Sequence, residues 1–472
     1  MERTQEIMRQ ARAAALAFRT FDQEATDRIV RAVYLAALDA RLQLARMAHE
    51  ETGIGVVEHK VLKNVIAAQL VYEDIKAQRT VGVIAEEERS GIVEVAQSRG
   101  PILCFIPVTN PTATMIFKAL ICLKTRNPII VSPQQGARRS IAAAAELCYR
   151  AARAAGAPEH CIQWLTRPNP ALVDELLQHP ALALIIATGT DSLVRKAATS
   201  GCPTLGVGPG NVPVYIGSTA DIPFAVRSIL MSKTFDNGTV CASEQAVVVK
   251  EMDVGRIVPE FERQGAYFLT PEESDAVGRV AWDPLRRTMM ATVVGQPVAR
   301  IAATAGISVP SGTSVLMARL EGVGREFPLS AEILAPILAF YVEDDFDGAI
   351  RRCSEITHFG GVGHSAVIYS NRDERIEYFS RTIDAGRILV NMPSTHGAIG
   401  GMYNTLSPSF TLSCGSGGNN LTTDNITTHH LLNIHRITRR RPNSRWFDLP
   451  QERYLDDSVS ASTLEAEYNR NF

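Results

Sequence analysis

Apolar positions recur at helical spacing early in the chain, at Ile29, Val33, Ala36, Leu42 and Ala45, which predicts that residues 1–80 are mostly helical. From Val81 to Val95 the pattern changes to alternation around Gly82 and Ser90-Gly91, the mark of two paired strands. After Gly100, short continuous apolar runs take turns with longer amphipathic ones. Pro101 to Ile106 reads as a buried strand, Thr112 to Leu123 as a helix and Pro128 to Val131 as the next strand. Ser140 to Ala155 reads as a helix stopped by Gly156, and Leu182 to Ala187 as another buried strand. Strands without polar alternation, separated by helices, predict a parallel sheet covered on both faces. A doubly wound sheet of this kind takes ligands at the carboxyl ends of its strands. A second α/β region runs from residue 226 to residue 404, with strand signals at Glu332 to Tyr341, Ser365 to Tyr369 and Arg387 to Asn391. Residues 405–435 are polar with β-like stretches, and 436–472 form an irregular charged tail. The expected organisation is therefore a domain over 1–225, a second over 226–404, a bridging segment over 405–435 and the tail, with no internal repeat.

Length and composition narrow the class. A chain of 472 residues exceeds one ordinary core, and 46% hydrophobic with 21% charged residues fits a globular enzyme. A net charge of -2 gives no global field for nucleic acid, and Arg439-Arg440-Arg441 reads as a solvated basic stretch. No apolar run approaches the ~18 residues that span a bilayer. Met1 to Thr20 is a mixed-charge amphipathic helix without the apolar stretch of a secretory signal, read as a surface helix rather than a targeting peptide. The eight cysteines are scattered, none in a CxxC pair, and no histidine cluster has metal-ligand spacing. This predicts free thiols in a reducing cytoplasm and no metal.

Four stretches carry candidate chemistry. In Ser232 to Gln245, Cys241 follows the turn-forming Asn237-Gly238 and precedes the apolar run Ala246 to Val249. A cysteine on a loop before a strand is either an exposed nucleophile or a buried structural thiol. In Pro107 to Thr112, Asn110 stands at the carboxyl end of the first buried strand. It is either a side-chain donor to a reacting carbonyl oxygen or a helix cap. Ala187 to Asp191, with Thr188-Gly189, follows a buried strand and precedes a helix whose N–H groups could meet an anion. Gly206 to Asn211 holds three glycines that permit close backbone approach, without a full GxGxxG pattern.

Taken in order, these stretches resemble the aldehyde dehydrogenase superfamily. More narrowly, Asn110-Pro111-Thr112, Ile116 to Asn127, Ser232 to Gln245, Gly360 to Ala366 and Ser409 to Gly418 resemble the acetylating aldehyde dehydrogenase half of bifunctional aldehyde-alcohol dehydrogenases. The similarity runs from residue 20 to residue 450. It implies an α/β fold with a Rossmann-type cofactor domain, an α/β catalytic domain and a small β oligomerisation element. It also implies site roles: Cys241 as nucleophile, and Asn110 with the Cys241 backbone N–H as oxyanion hole. Glu332 matches the carboxylate on the nicotinamide ribose, and Thr188 and Gly189 the turn near the pyrophosphate. Gly206 matches the glycine-rich cofactor stretch, and Ser132 and Pro133 the strand end beside the adenosine ribose. Hydrolytic members usually carry a lysine at that strand end, and this chain does not.

One departure bears on the reaction. Hydrolytic members place a water-activating glutamate just before the Gly-Gly of the segment matching Leu205 to Asn211, and this segment contains no acid. Water without a base is a poor nucleophile toward a thioester, whereas a thiol is a good one. The resemblance and the missing acid together imply transfer of the acyl group from Cys241 to coenzyme A, with NAD or NADP taking the hydride. The rivals are a hydrolytic, CoA-independent dehydrogenase and a non-catalytic member that keeps only the fold. His364 is either a proton shuttle or a hydrogen-bonded turn residue; His358 is a weaker shuttle candidate, and Cys414 matches a structural part of the family. Bifunctional relatives continue into an iron-dependent alcohol dehydrogenase, and the chain is expected to lack it, stopping soon after Trp446 to Pro450. Acetaldehyde, another short aldehyde or sulfoacetaldehyde are the expected substrates. Arg138 and Arg139 raise the question of a 2′-phosphate partner. A homodimer or homotetramer is expected, with 81–99 and 405–435 as interface strands.

Overall fold

The computed structural model describes residues 2–448 and 450–470. Position 1 of the amphipathic start, Leu449 in the Trp446 to Pro450 stretch and the last two positions of the tail lie outside the described residues. The chain divides into two compact units, Met1–Thr80 with Ser98–Leu432, and Val81–Gln97 with Asn433–Phe472. No helix among the described residues is long and apolar enough to cross a membrane.

The larger unit begins, as predicted, with helices: Glu2–Phe18 (α1), Gln23–Asp39 (α2), Arg41–Thr52 (α3), Val57–Val65 (α4) and Val71–Ile75 (α5). The α2 start is fixed by Asp22, whose carboxylate accepts the Ala25 N–H at 2.8 Å. The hairpin strands Gly82–Glu87 (β1) and Ile92–Ser98 (β2) follow. The alternating apolar runs then give a parallel sheet. Its strands are Ile102–Ile106 (β3), Ile129–Pro133 (β4), Ile162–Trp164 (β5), Leu184–Thr188 (β6) and Thr204–Val207 (β7), in the order β5-β4-β3-β6-β7. Between β3 and β4 lies Pro111–Lys124 (α6), every residue of which is buried, and after β4 comes Arg138–Ala154 (α7). A helix apolar on all sides belongs in a core rather than on a surface. The chain winds outward from β3 to β5 and returns to the other side of β3, so the strand order reverses there and leaves a crevice at the carboxyl ends.

The second sheet starts earlier along the chain than the hydrophobic pattern suggests. Val212–Ile216 (β8) already belongs to it, only a few residues after β7. Its other strands are Glu244–Lys250 (β9), Ala266–Phe268 (β10), Val315–Arg319 (β13), Ile337–Glu343 (β14), Gly363–Tyr369 (β15) and Ala385–Val390 (β16). The two-residue strands Trp282–Asp283 (β11) and Thr288–Met289 (β12) form a separate ribbon. The order is β10-β13-β14-β9-β8-β15-β16, with parallel neighbours throughout. Val247, Val249, Val214 and Val367 on its central strands are fully buried. Truncating one such side chain to alanine would cost roughly 2–4 kcal/mol, from lost transfer energy and the cavity left behind.

Two expectations need correction. The stretch Glu332 to Pro336 is not strand: β14 begins at Ile337, and the preceding residues form a bent loop closed by the bonds of Ala335 N–H to Ile333 and Ile337 N–H to Ala335. Pro336 has no N–H to give a ladder, which ends the strand there. Within the β-like segment 405–435, the arms around Leu412 and Asn425 make one isolated antiparallel bridge rather than a sheet, with the backbone bonds of Ser413 N–H to Asp424, Gly415 N–H to Thr422 and Ile426 N–H to Thr411 running across between them. In the smaller unit, β1, β2 and Leu432–Thr438 (β17) make a three-stranded sheet in which Arg436 meets Glu94 at 3.0 Å.

Candidate active site

The short link from β7 to β8 sets the geometry. It takes the chain from the carboxyl end of the first sheet to the amino end of the second. The candidate residues gather at these two ends. Asn110 and Thr188 follow or end β3 and β6, whereas Gly210, Cys241, Glu332 and His364 precede or begin β8, β9, β14 and β15. The carboxyl-end rule therefore describes the first sheet only.

Asn237-Gly238 makes the turn that the sequence requires, and more sharply than expected. Asp236, Asn237 and Gly238 all have positive φ, at 51°, 52° and 74°. The chain then folds through a tight turn closed by the Ser243 N–H on the Val240 carbonyl at 2.8 Å, with Cys241 at its second position. Of the eight free cysteines, six are buried, and only Cys202 and Cys241 are partly open. The Cys202 thiol is spent on the Leu182 carbonyl, whereas Cys241 Sγ lies 3.3 Å from His364 Nε2. Burial, reinforced by the neighbouring Glu332, pushes the Cys241 thiol up to about 12. Burial beside the Arg387 guanidinium pushes His364 down to about 3. The pair therefore rests as neutral thiol and neutral imidazole. The Ser365 hydroxyl accepts from Arg387 Nε at 3.2 Å and stands 3.1 Å from His364 Nδ1. A hydroxyl has a second lone pair for an Nδ1–H, and in that tautomer Nε2 faces the thiol as acceptor. Arg387 also donates to the carbonyls of His364 at 2.8 Å and Ser413 at 2.9 Å, which fixes the histidine backbone.

Asn110 is the first residue before α6, yet its side chain makes no capping bond. Pro111 at the first helical position removes one N–H from those a cap would serve. The amide turns elsewhere: Oδ1 accepts from Lys63 Nζ at 2.6 Å, and Nδ2 lies 3.4 Å from the Thr239 carbonyl and 3.1 Å from the Thr109 hydroxyl. Lys63 also meets Asp236 at 2.5 Å, and Lys60 meets the same carboxylate at 3.0 Å. Burial works to raise the Asp236 carboxyl, but the two ammonium groups outweigh it and hold it at about 2. Burial brings Lys63 down to about 8. Sequence reading passed over Lys60 and Lys63. The available signal is a pair of lysines at i, i+3 on one face of the amphipathic segment Val57 to Ile66.

Glu332 lies on the loop before β14 and accepts the Gly210 N–H at 2.9 Å. Burial raises it to about 7, and burial lowers the neighbouring Lys233 to about 7. Glu244, which accepts the Ser394 N–H at 2.7 Å, is raised to about 7 for the same reason. Gly210 presses against the Cys241 carbonyl and the His364 ring, so that a Cβ there would collide with both.

The remaining expected positions separate into two groups. Ser132 and Pro133 end β4 and are buried; Thr188 ends β6, half-buried, with its hydroxyl 3.1 Å from Lys118 Nζ; Gly189 follows it. These stand at the carboxyl-end crevice. Gly206 lies inside β7, where its N–H is bound by Asn420 and the space for a side chain is filled by Val194. Gly208, by contrast, has open space within 4 Å of its absent Cβ. This edge gathers the features a dinucleotide would need: an uncovered glycine after β7, the β6 turn, the β4 end and a carboxylate at Glu332. The amino end of α7 is occupied by Glu51, which accepts the N–H groups of Arg139 at 2.8 Å and Ser140 at 2.7 Å. His358 is on the surface with its Nε2 2.9 Å from the Asp384 carboxylate, away from this group. Cys414 is buried, its thiol on the Leu412 carbonyl.

Folding also assembles Asp424, His429 and His430, a group the spacing did not suggest and the one metal-compatible cluster among the described residues. His430 Nδ1 accepts the Thr427 N–H, which leaves its proton on Nε2 facing Asp424 at 3.1 Å. That is a hydrogen bond with no lone pair left for an ion.

Comparison with known proteins identifies the family. The profile of the aldehyde dehydrogenase family matches residues 1–307. The bifunctional aldehyde-alcohol dehydrogenase of Escherichia coli K12 is 42% identical over 453 residues, 95% of this chain and 51% of that protein. The chain thus spans about half the length of such curated relatives. The acylating sulfoacetaldehyde dehydrogenase of Bilophila wadsworthia is 34% identical over 92% of this chain and 94% of that one. The crystal structure of an acetylating aldehyde dehydrogenase from Geobacillus thermoglucosidasius superposes with a TM-score of 0.90 at 43% identity, covering 94% of this chain and 98% of that one. The chain belongs to the aldehyde dehydrogenase family, and its relatives there include acylating members.

Proposed function

We propose that this enzyme converts a short aldehyde, NAD or NADP and coenzyme A into an acyl-CoA, through a thioester on Cys241. The observation that carries this reading is the neutral Cys241–His364 pair at 3.3 Å, on the turn that faces the Asn110 amide network. His364 Nε2 takes the thiol proton as Cys241 Sγ bonds to the aldehyde carbon. The aldehyde oxygen becomes an oxyanion that the Asn110 amide and the Cys241 N–H stabilise, a contribution of about 3 kcal/mol per donor. Glu332, Thr188 and Gly189 would hold a nicotinamide cofactor, which when bound would supply the hydride acceptor for oxidation of the Cys241 thiohemiacetal to a thioester. His364 releases the first proton to solvent and then accepts the proton of the CoA thiol, whose sulfur bonds to the acyl carbon as the Cys241 sulfur leaves and takes that second proton from His364. The same groups serve the reverse direction.

Glu51 places a carboxylate at the amino end of α7, where a 2′-phosphate would be repelled, and this favours NAD over NADP. Among substrates, the names of similar proteins span succinate semialdehyde and sulfoacetaldehyde. The free thiols support a reducing cytoplasmic setting, and the β1-β2-β17 sheet supports assembly into a homodimer or homotetramer.

A second reading has one observation behind it. The 205–211 segment has no acid of its own, but Glu332 reaches it through Gly210, and a carboxylate titrating near 7 is a competent base for water. Nicotinamide reduction by acetaldehyde, butanal and sulfoacetaldehyde, each with NAD and NADP and with and without CoA, separates the two. Turnover that needs CoA supports acyl transfer; equal turnover without it, with free acid as product, establishes hydrolysis.

A further inference from the structure

Lys63 uses every proton it has. Its ammonium meets Asn110 Oδ1 at 2.6 Å, Asp236 Oδ2 at 2.5 Å and Thr239 Oγ1 at 3.0 Å, three acceptors for three N–H groups. Its side chain is 1% exposed, so these bonds are not shared with water. An ammonium only donates, so the Asn110 group facing it must be the carbonyl oxygen. That fixes the amide orientation and points the NH₂ the other way, toward the Thr239 carbonyl two residues before Cys241. Asp236 is the anchor. Oδ1 accepts the Val56 N–H at 2.7 Å, while Oδ2 accepts from Lys60, Lys63 and the Thr239 hydroxyl, the last at 2.8 Å. Gly55 has no side chain because a Cβ there would collide with this carboxylate. The left-handed backbone of Asp236 delivers the carboxylate to α4 and commits the following residues to the Cys241 turn. Two ammonium groups against one carboxylate leave a net positive charge beside Asn110.

We infer that Lys63, held by Asp236, is a positioning residue for the oxyanion hole: it aims the Asn110 NH₂ and polarises the amide so that it donates more strongly to a developing oxyanion. The inference rests on the proposed reaction. It places part of the catalytic apparatus on α4, remote in sequence from every residue the motifs single out. A buried ammonium hydrogen-bonded to the carbonyl end of an amide withdraws electron density through the conjugated system, and the effect is strong where water is excluded.

The test is a double-mutant cycle of Lys63→Met and Asn110→Ala, read in steady-state kinetics and in the rate of Cys241 alkylation by iodoacetamide. Alkylation needs the thiol and no oxyanion hole. The expected result is a kcat loss of about 10²-fold for Lys63→Met with KM nearly unchanged, alkylation close to wild type, and a double variant no slower than Asn110→Ala alone. Wild-type kcat in Lys63→Met, losses that multiply in the double variant, or alkylation lost in proportion to kcat would each overturn it. If Lys63→Met gives no folded protein, Lys63→Gln keeps a neutral donor on the same stem and enters the same cycle. Absence of turnover in the wild type itself counts against the proposed reaction, not against Lys63.

Discussion

The two sides of the candidate site handle buried ionisable groups in opposite ways. On the α4 side, Lys63 and Asp236 stay ionised in a dry interior because they are hydrogen-bonded to each other, with Lys60 on the same carboxylate. On the β9–β15 side, burial without such pairing drives Cys241, His364 and Glu332 toward their uncharged forms. The difference shows how one cleft can hold both a fixed field and a transferable proton. Paired charges cannot move without large cost, whereas neutral donors and acceptors at hydrogen-bond distance exchange a proton cheaply. The first side suits charge stabilisation and the second proton transfer.

Substitutions on each side should separate these roles. The largest effect belongs to Cys241→Ala, which should cut turnover by at least about 10⁴-fold while the thermal midpoint stays near wild type. His364→Ala should lower kcat by about 10²–10⁴-fold in single-turnover assays of acyl-enzyme formation. Asp236→Ala should act on stability as well as on turnover. It strands two buried ammonium groups, so urea unfolding should show a loss of about 3–5 kcal/mol. The smallest effect is a pH dependence. The Glu332 carboxyl titrates near 7 in the folded protein and near 4.5 when unfolded, so the folded state holds more protons between those values. Its contribution to stability therefore falls as pH rises from 4.5 to about 7 and is constant above. Glu332→Gln should remove that slope, gaining on wild type in thermal midpoint between pH 5 and pH 8. A difference between the two proteins that stays flat with pH would contradict the assigned burial.

Much of this was legible in the chain. The buried strands of the first sheet, α6 and α7 are continuous apolar or strongly amphipathic runs, patterns that tertiary context rarely overrides. Asn237-Gly238 announced the turn that positions Cys241. Other features had no local signal. Asn110 reads more readily as a helix cap, and only the Lys63 ammonium on its oxygen shows where the amide points. Glu332 was read as strand because its apolar neighbours mimic one, although Pro336 interrupts the ladder. Lys60 and Lys63 are distant in sequence from Asp236, and all three look like ordinary surface charges until the fold buries them together. Gly206 and Gly210 belong to one glycine-rich stretch, yet the first is explained by packing against Val194 and the second by the approach to Cys241 and His364.

The central claim is that Cys241 carries the acyl group and that CoA removes it. The direct measurement is intact and peptide mass spectrometry of the enzyme quenched after incubation with acetaldehyde and NAD, first without CoA and then after CoA is added. The account predicts one acyl group per chain on Cys241 without CoA, lost on addition as acetyl-CoA appears in equal amount. An acyl adduct on another residue, or free acetate released at the same rate before CoA is added, would contradict it.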